Sequence, residues 1–220
     1  IWTFDNISGT TVYDDSGNDN NGTISGATVV DGVVDKALSF DGNNDYVAIG
    51  NDSAFENIEG ITVSAWVYLD TVGVTGAAIV SKYWDGSDRS WYLYLIPAGF
   101  RFLCSTDSQN DNDAAYDSTA VLPGEWYHVA GMWNPADGVI RIYVNGRVGS
   151  NQANQPGSTV RANNAPVWIG RDYYNNSPRV PLDGKIDDVR VFREAFTQAQ
   201  VQQLYAEGLE SHRDLALIRQ

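Results

Sequence analysis

Short segments in which apolar and polar residues alternate recur along almost the whole chain, and they constrain the fold more than any other feature. In the clearest, Ile61–Leu69, every second residue is apolar, which predicts a strand with one face against a core. Asp41-Gly42 and Asn145-Gly146 lie between apolar runs and predict hairpins. About a dozen such strands at regular spacing predict an all-β fold, a two-sheet antiparallel jelly-roll sandwich.

One short helix is predicted after the last strand. Thr197 and Gln200 have the spacing of a capping box at its start, and Gly208 offers a stop at its end. The chain has no second block of alternating strands after this helix. We therefore predict one domain over residues 1–208 and a C-terminal tail or linker over residues 209–220.

The composition narrows the class of protein. With 220 residues, 43% of them hydrophobic, the chain is long enough for one domain with a large core. Its net charge of −14 repels phosphate backbones and anionic lipid, so we expect no nucleic-acid and no membrane partner. The charge also keeps a secreted protein soluble, and we expect an extracellular location. Because the chain opens directly on the strand-like Ile1–Asp5, we expect a mature form or a module of a larger multidomain protein.

The stretch Gly184–Phe192 combines a strand pattern with a carboxylate in an apolar setting. By strict alternation, Asp187 shares a face with Val189 and Val191. An ionised carboxylate next to a core is costly unless a cation neutralises it. We therefore predict that this late strand pairs near the chain start and closes the sandwich around a calcium ion.

Oxygen-bearing side chains from distant segments are the candidate ligands, because calcium prefers carboxylate and carbonyl oxygens. We predict Asp187 from the closing strand, Asp5 from the first strand and Asp41 from the Asp-Gly turn, with Asp15 in reserve. The alternative is that these carboxylates are solvated or cap turns. Zinc is disfavoured, since the two histidines are far apart in sequence and the single cysteine stands alone.

Aromatic residues in loops are candidates for sugar binding, because a pyranose ring stacks on an aromatic face while polar groups read its hydroxyls. The chain holds seven Trp and twelve Tyr. The predicted binding rim consists of loop aromatics and the arginines beside them: Trp84, Arg89, Arg171, Tyr173 and Tyr174. The alternative is that these aromatics fold back onto the sheet edge.

Aromatic residues within the predicted strands are interpreted as packing. The tryptophans of this kind are Trp66, Trp91, Trp126 and Trp168. A second group lies on the non-core face of central strands and offers a possible groove floor, although surface packing is favoured: Tyr92, Tyr94, Arg101 and Tyr143.

The sequence carries no nucleophile elbow, no phosphate-binding loop and no strand with paired glutamates. Cys104 alternates with phenylalanines, so we interpret it as a buried small hydrophobic residue. His128 lies within a predicted strand and is interpreted as a hydrogen-bonded structural histidine. We expect no enzyme activity; the remaining enzymatic alternative is a polysaccharide lyase or hydrolase, the former built from His128, Tyr143 and Arg101.

Several short motifs occur in order along the chain. They are Phe4-Asp5, Asp15–Asn18, Ala37–Gly42 with Asp45–Val47, Thr62–Val67, Gly124–Ala130, Tyr143–Gly146 and Gly184–Phe192. Over roughly residues 1–208, this set resembles the laminin-G-like, concanavalin-A-like jelly-roll domains of bacterial extracellular proteins. The resemblance implies two curved antiparallel sheets. Members commonly act as non-catalytic modules of polysaccharide-degrading enzymes or adhesins, often with a structural calcium ion.

The closing strand also resembles that of the related sandwich glucanases, in which the position matching Asp187 is a calcium ligand. The Glu-x-Asp-x-(x)-Glu catalytic strand of those glucanases is missing from this sequence. The resemblance therefore implies a carbohydrate-binding module for a polysaccharide or oligosaccharide, stabilised by calcium. The alternative is an adhesion or structural spacer module that contacts protein.

Overall fold

The structure is a computed structural model that describes residues 1–50, 53–83, 89–108, 113–174, 177–178 and 181–218. Of residues 173–174, 177–178 and 212–218 it describes the backbone only. The strands of the described residues are β1 (Ile7–Ser8), β2 (Thr11–Val12), β3 (Gly22–Ser25), β4 (Thr28–Asp31), β5 (Lys36–Asp41), β6 (Tyr46–Gly50), β7 (Ile61–Leu69), β8 (Ala77–Tyr83), β9 (Arg89–Ile96), β10 (Gly99–Cys104), β11 (Ala114–Asp117), β12 (Trp126–Asn134), β13 (Val139–Val144), β14 (Arg147–Val148), β15 (Ala153–Asn154), β16 (Val167–Ile169), β17 (Tyr173–Tyr174), β18 (Ser177–Pro178) and β19 (Asp183–Phe192). A 3-10 turn spans Ser53–Phe55, and the α-helix α1 spans Gln198–Ile218.

Two antiparallel sheets face each other across a common core. Within the described residues, the first sheet has the strand order β1-β2-β3-β6-β16-β8-β9-β10-β11. The second sheet has the order β14-β13-β12-β7-β19-β5-β4, with β15 beside β13, and β17 and β18 form a small separate pair. The predicted two-sheet antiparallel sandwich is therefore confirmed.

The core draws on the inner faces of both sheets. Val63 and Val67 of β7 face it from the second sheet, and Leu93 and Phe102 face it from the first. At Gly131 of β12 the sheets touch, because a Cβ atom there would overlap the ring of Phe102. Since these strands alternate, every other residue points outward, away from the core.

The closing strand β19 lies inside the second sheet and reaches the start of the chain. It pairs with β7 on one side and with β5 on the other. The backbones of Val189 and Trp2 exchange two hydrogen bonds, of 2.8 and 2.9 Å. The predicted pairing near the chain start is therefore confirmed, although as an isolated bridge: Phe4 has a positive φ of 65°, and the first strand begins only at Ile7.

A bulge in β19 changes which residues share a face. The register shifts between Asp187, which lies opposite Trp66, and Arg190, which lies opposite Ser64. The extra residue is Asp188, with φ of 48°. The prediction that Asp187 shares the face of Val189 is therefore wrong, because Asp187 lies on the outer side with Trp66 while Val189 enters the core.

Helix α1 starts as predicted and ends later. The Thr197 backbone N–H and hydroxyl both donate to Gln200 Oε1, at 2.8 and 2.9 Å, and the Gln200 N–H donates back to Thr197 Oγ1, which confirms the capping box. The helix continues through Gly208 to Ile218, so the predicted stop is wrong and most of residues 209–220 is helical. Gly208 serves packing instead, because a Cβ atom there would overlap the ring of Trp66. Among the described residues, no helix combines the length and the apolar character that a membrane span requires.

Candidate functional site on the outer face of the first sheet

The outer face of the second sheet is largely occupied by the helix. Val201 of α1 is buried against Ala130, Met132 and Tyr143 of the sheet, which form one cluster. Tyr205 stacks on Trp66, with ring centroids 5.6 Å apart. Tyr143, considered as part of a groove floor, therefore lies beneath the helix.

His128 is buried on this same face, 5.3 Å from the ring of Trp66. Burial, and secondarily the charge of Arg190, lowers the pKa of His128 to about 3. A histidine with so low a pKa stays neutral at physiological pH, so it carries no imidazolium proton and is a weak base. Its burial fits the interpretation as a structural residue, but its Nδ1 has no hydrogen-bond partner among the described residues, so the predicted hydrogen bond at that atom is not found. The three residues considered for a lyase are not brought together, since Arg101 lies on the other sheet from His128 and Tyr143.

The outer face of the first sheet carries a cluster of one arginine and two aromatic rings. The guanidinium carbon of Arg171 lies 3.9 Å from the ring centroid of Tyr46 and 4.5 Å from that of Trp168. The two rings meet edge to face, with centroids 5.2 Å apart. All three side chains are half-buried, so each keeps a surface for solvent or a ligand. We call this group the Arg171 cluster.

Strand register and a glycine turn build the Arg171 cluster. Trp168 lies opposite Ala48 of β6, which puts it on the same face as Tyr46. Gly170, with φ of 83°, turns the chain directly after β16. The hydroxyl of Ser81 donates to the Arg171 carbonyl at 2.9 Å, and this bond fixes the turn over the sheet.

A second group of tyrosines continues the same face across β8, β9 and β10. Tyr92 and Tyr94 stack with centroids 4.1 Å apart, and Tyr83 lies 5.1 Å from Tyr92. Arg89 and Arg101 lie at the edge of this group, 5.9 Å from Tyr83 and 6.0 Å from Tyr94 respectively. The three tyrosines are buried, whereas Arg89 and Arg101 are half-buried. The tyrosine rings therefore form a packed base, and the two arginines keep part of their surface exposed to solvent.

The two groups adjoin each other. Ser81 of β8 lies opposite Trp168 on one side and opposite Tyr92 on the other. Trp168 and Tyr92 are therefore two strand spacings apart, roughly 10 Å. One face of the first sheet thus carries the Arg171 cluster beside a group of buried tyrosines, with Arg89 and Arg101 at the edge of that group.

The predicted sugar-binding residues fare differently. Arg89 and Arg171 lie on the face just described, whereas Trp84 lies outside the described residues. Tyr173 and Tyr174 form β17, directly after Arg171 and Asp172, and only their backbone is described. Tyr46 and Trp168 were missed as candidates, although they alternate with core residues of β6 and β16, a pattern that places them outward.

Strand β19 carries a buried carboxylate, Asp187, close to the place where β19 pairs with the start of the chain. Asp187 is fully buried, and its Oδ2 accepts hydrogen bonds from the backbone N–H groups of Val33 and Val34, at 2.8 and 2.9 Å. Its Oδ1 is buried with no hydrogen-bond partner among the described residues. Asp5 accepts a bond from the N–H of Lys36 at 2.8 Å, so both carboxylates hold the same loop, residues 32–36.

These two carboxylates are electrostatically unfavourable in the absence of a cation. Burial raises the pKa of Asp187 to about 8, the charges of Asp188 and Asp5 add to the rise, and the two N–H donors only partly oppose it. Burial is the main reason that the pKa of Asp5 is raised; the Lys36 N–H opposes the rise, and the charges of Asp35, Asp15 and Asp188 add to it. An orphaned, buried oxygen beside further negative charge fits a bound cation. Nevertheless, no three acidic, histidine or cysteine side chains of the described residues converge as a ready ligand set.

Asp41 is not brought to this place. It lies opposite Asp183, four residues before Asp187 along β19 and therefore roughly 13 Å away. Its carboxylate accepts bonds from Asn43, at 2.9 and 3.2 Å, and these lower its pKa. Asp41 thus caps its turn, which corrects its predicted grouping with Asp187. The reserve candidate Asp15 accepts bonds from the N–H and hydroxyl of Thr3.

Comparison with known proteins adds a family and a set of similar folds. Residues 41–202 match Laminin_G_3, the Concanavalin A-like lectin/glucanases superfamily. Domain 4 of AbnA, an extracellular arabinanase of Geobacillus stearothermophilus solved with arabinotriose, is 20% identical with a TM-score of 0.69, over 87% of this chain and 91% of that domain. No curated protein sequence matches the chain significantly.

Two further solved structures cover the same sandwich within longer chains. The binding domain of Paraclostridial Mosquitocidal Protein 1 is 15% identical with a TM-score of 0.67, over 90% of this chain and 50% of that one. Trypanosoma rangeli sialidase in complex with sialic acid is 15% identical with a TM-score of 0.65, over 91% of this chain and 31% of that one. At these identities the likeness concerns the fold alone.

Proposed function

The chain belongs to the concanavalin A-like lectin/glucanase superfamily, and from this premise we propose that it is a non-catalytic carbohydrate-binding module. The observation that carries the proposal is the Arg171 cluster, in which one guanidinium group lies against two half-buried aromatic rings that touch each other. Such a group combines an apolar stacking surface with fixed hydrogen-bond donors, which is what a sugar ring requires.

In the proposed mode, a sugar ring packs on the exposed part of Trp168 while Arg171 donates to its hydroxyl groups. Arg101 and Arg89 serve further sugar units of the same chain. Tyr173 and Tyr174 follow Asp172 in sequence and are proposed to complete the rim, together with Trp84 from the segment of sequence between β8 and β9.

Two of the similar structures were solved with a bound sugar, which supports a role in carbohydrate binding. The arabinanase domain was solved with arabinotriose and the sialidase with sialic acid. The alternative is an adhesion or spacer module that contacts protein; the similar structures also include the binding domain of Paraclostridial Mosquitocidal Protein 1. We further propose that the chain acts outside the cell, as part of a larger protein.

Affinity electrophoresis against a panel of polysaccharides tests the proposal. We expect retardation on at least one glycan, and loss of about tenfold or more in affinity in Trp168→Ala and Arg171→Ala, equivalent to about 1.4 kcal/mol. Trp126→Ala is the matched control, since Trp126 is a half-buried tryptophan on the outer face of the second sheet. No retardation on any glycan would favour the protein-contacting alternative.

We also propose that a structural calcium ion binds at Asp187 and Asp5. Three observations support this proposal. The Oδ1 of Asp187 has no hydrogen-bond partner among the described residues, and the pKa values of both carboxylates are raised. Both carboxylates also accept hydrogen bonds from the same loop, residues 32–36. The ion would supply the positive charge that this buried group lacks, and it would join the chain start to β19. Backbone carbonyl oxygens would complete the ligand set.

Thermal melting with calcium and with EDTA tests the metal proposal. Calcium at 100 times its dissociation constant stabilises the folded state by about 2.7 kcal/mol, so EDTA should lower the melting temperature. We expect Asp187→Asn to abolish this difference, while Asp41→Asn, a change at an exposed turn carboxylate, preserves it. An EDTA-insensitive wild type, or an effect of Asp41→Asn equal to that of Asp187→Asn, would contradict the site.

A further inference from the structure

A cavity lies at one end of the sandwich, away from the Arg171 cluster. It has a volume of about 490 Å³ and lies between the end of β11, the hairpin of β13 and β14, and helix α1. This volume falls within the range typical of small-molecule sites. The cavity is thus formed where the last strand of the first sheet meets the edge of the second.

A buried carboxylate forms part of the cavity wall. Asp117 is only 7% exposed, and its Oδ1 accepts a bond from the N–H of Thr119 at 2.6 Å. Its Oδ2 has no hydrogen-bond donor among the described residues. The cavity therefore offers one strong, fixed hydrogen-bond acceptor.

Two donors on the hairpin line the same cavity. Asn145 uses its Oδ1 to accept the N–H of His128 at 2.9 Å, which fixes the amide and leaves its NH₂ group available. Arg147 is exposed, and no ion pair of the described residues involves its guanidinium group. An acceptor and two donors around one cavity match a sugar, whose hydroxyl groups both donate and accept.

Aromatic rings complete the walls. The hydroxyl of Tyr127 accepts the N–H of Leu122 at 2.9 Å, which holds the ring in place. Tyr205 of α1 is held by its stacking on Trp66. Both rings are half-buried, so each presents part of its surface to the cavity.

We propose that this cavity is a second carbohydrate-binding site, specific for a neutral sugar unit. The proposal rests on the proposed function and extends it, since it makes the domain bivalent for glycan. Asp117 sets the charge class: its Oδ2 accepts from a sugar hydroxyl but repels a carboxylate or sulfate. Arg147 and Asn145 donate to neighbouring hydroxyl oxygens, and Tyr205 packs against the ring.

Chemical-shift mapping and calorimetric titration of the whole chain test this proposal. The probes are the neutral trisaccharides arabinotriose, cellotriose and maltotriose, with trigalacturonate as the acidic counterpart. For at least one neutral probe we expect two sites per chain and shifts of the Asn145 side-chain amide. Trigalacturonate should leave the Asn145 amide unshifted.

Variants separate the two sites. Arg147→Ala should weaken the second site about fivefold and Asp117→Asn about tenfold, with the first site unchanged, and Trp168→Ala should give the reverse. Arg193→Ala, at another exposed arginine, is the matched control. Arg147→Ala keeps the test valid if Asp117→Asn does not fold.

Each outcome decides between the two proposals. One site per chain, with shifts confined to β6, β16 and β8–β10, overturns the second site and leaves the proposed function standing. Shifts at Asn145 alone support the second site and count against the Arg171 cluster. No binding of any probe overturns the second site and counts against the proposed function, and equal binding of trigalacturonate overturns the assigned charge class.

Discussion

The two outer faces of the sandwich carry similar residues and use them differently. On each face a cation lies over a tyrosine ring: Arg171 at 3.9 Å from Tyr46 on the first sheet, and Lys185 at 3.8 Å from Tyr68 on the second. Each face also carries tryptophan and further tyrosines. On the second sheet, however, helix α1 packs over Trp66 and buries His128, whereas no helix of the described residues covers the Arg171 cluster.

The two faces therefore differ in whether helix α1 covers them and not in the residue types that they carry. Beneath the helix, aromatic rings lose their accessible surface and a histidine loses its charge. On the first sheet, Tyr46 and Trp168 of the Arg171 cluster keep part of their surface beside a guanidinium group, whereas Tyr92 and Tyr94 are buried. Each prediction below tests one side of this difference.

The largest expected effect is a loss of stability in acid through His128. Its pKa in the folded state, about 3, lies below the unfolded value of 6.5, so the folded state resists protonation. Its contribution is therefore fully present above pH 6.5 and is lost as the pH falls toward 3. At pH 4.5 the loss is about 2.7 kcal/mol, at about 1.36 kcal/mol per pH unit.

Denaturant unfolding of the wild type and of His128→Phe, compared at pH 7 and pH 4.5, checks this prediction. The difference between the two proteins cancels groups that titrate equally in both, including Asp187. If both proteins lose the same stability, His128 is accessible and the second face is not covered as described.

The next effect concerns the fit of the helix. Gly208→Leu places a side chain where a Cβ atom already overlaps the ring of Trp66, so the helix must move off the sheet. Overpacking of this kind costs about 2 kcal/mol in the free energy of unfolding. Ala206→Leu, at an exposed position of the same helix, is the control and should be nearly neutral. Glycan affinity at the Arg171 cluster should be unchanged in both variants.

Arg171→Lys sharpens the account of the first face. Lysine keeps the charge but loses the planar group that lies over Tyr46 and Trp168, and with it part of the hydrogen-bonding fork. We expect a three- to tenfold loss of glycan affinity, about 1 kcal/mol. Calorimetric titration measures it, and an affinity equal to that of the wild type would mean that charge alone is used.

The smallest effect belongs to the matching pair on the second sheet. Lys185→Met removes the cation over Tyr68 and keeps an apolar chain of similar length. We expect a loss of about 0.5 kcal/mol in unfolding free energy, typical of an exposed cation–π pair, and no change in glycan binding. A tenfold loss of glycan affinity in Lys185→Met would indicate that the glycan binds the second sheet, and this would contradict binding at the Arg171 cluster.

Much of the fold follows from the sequence because alternation and turn residues act locally. The period of Ile61–Leu69, the capping box at Thr197 and the return of Gly184–Phe192 to the chain start are all found in the structure. The bulge at Asp188 was not predicted, because a single positive φ inside a strand leaves no mark on the apolar pattern. Gly208 was taken for a helix end because its packing partner, Trp66, is distant in sequence.

The candidate site is less predictable because it depends on register. Both Asp41 and Asp187 are candidate calcium ligands by sequence. In the structure, however, Asp41 of β5 pairs with Asp183, which lies four residues from Asp187 along β19. Trp168 was assigned to packing because it lies inside a strand, and only the arrival of Arg171 and Tyr46 beside it identifies it as a candidate. Period two gives the direction of a side chain but not its neighbours on the next strand.

A crystal structure of the domain with an oligosaccharide cut from the glycan that retards it tests the central claim most directly. The account predicts a sugar ring against Trp168, with hydrogen bonds from Arg171, on the outer face of the first sheet. A sugar bound only elsewhere on the sandwich, with the rings of Tyr46 and Trp168 free of ligand, would contradict it.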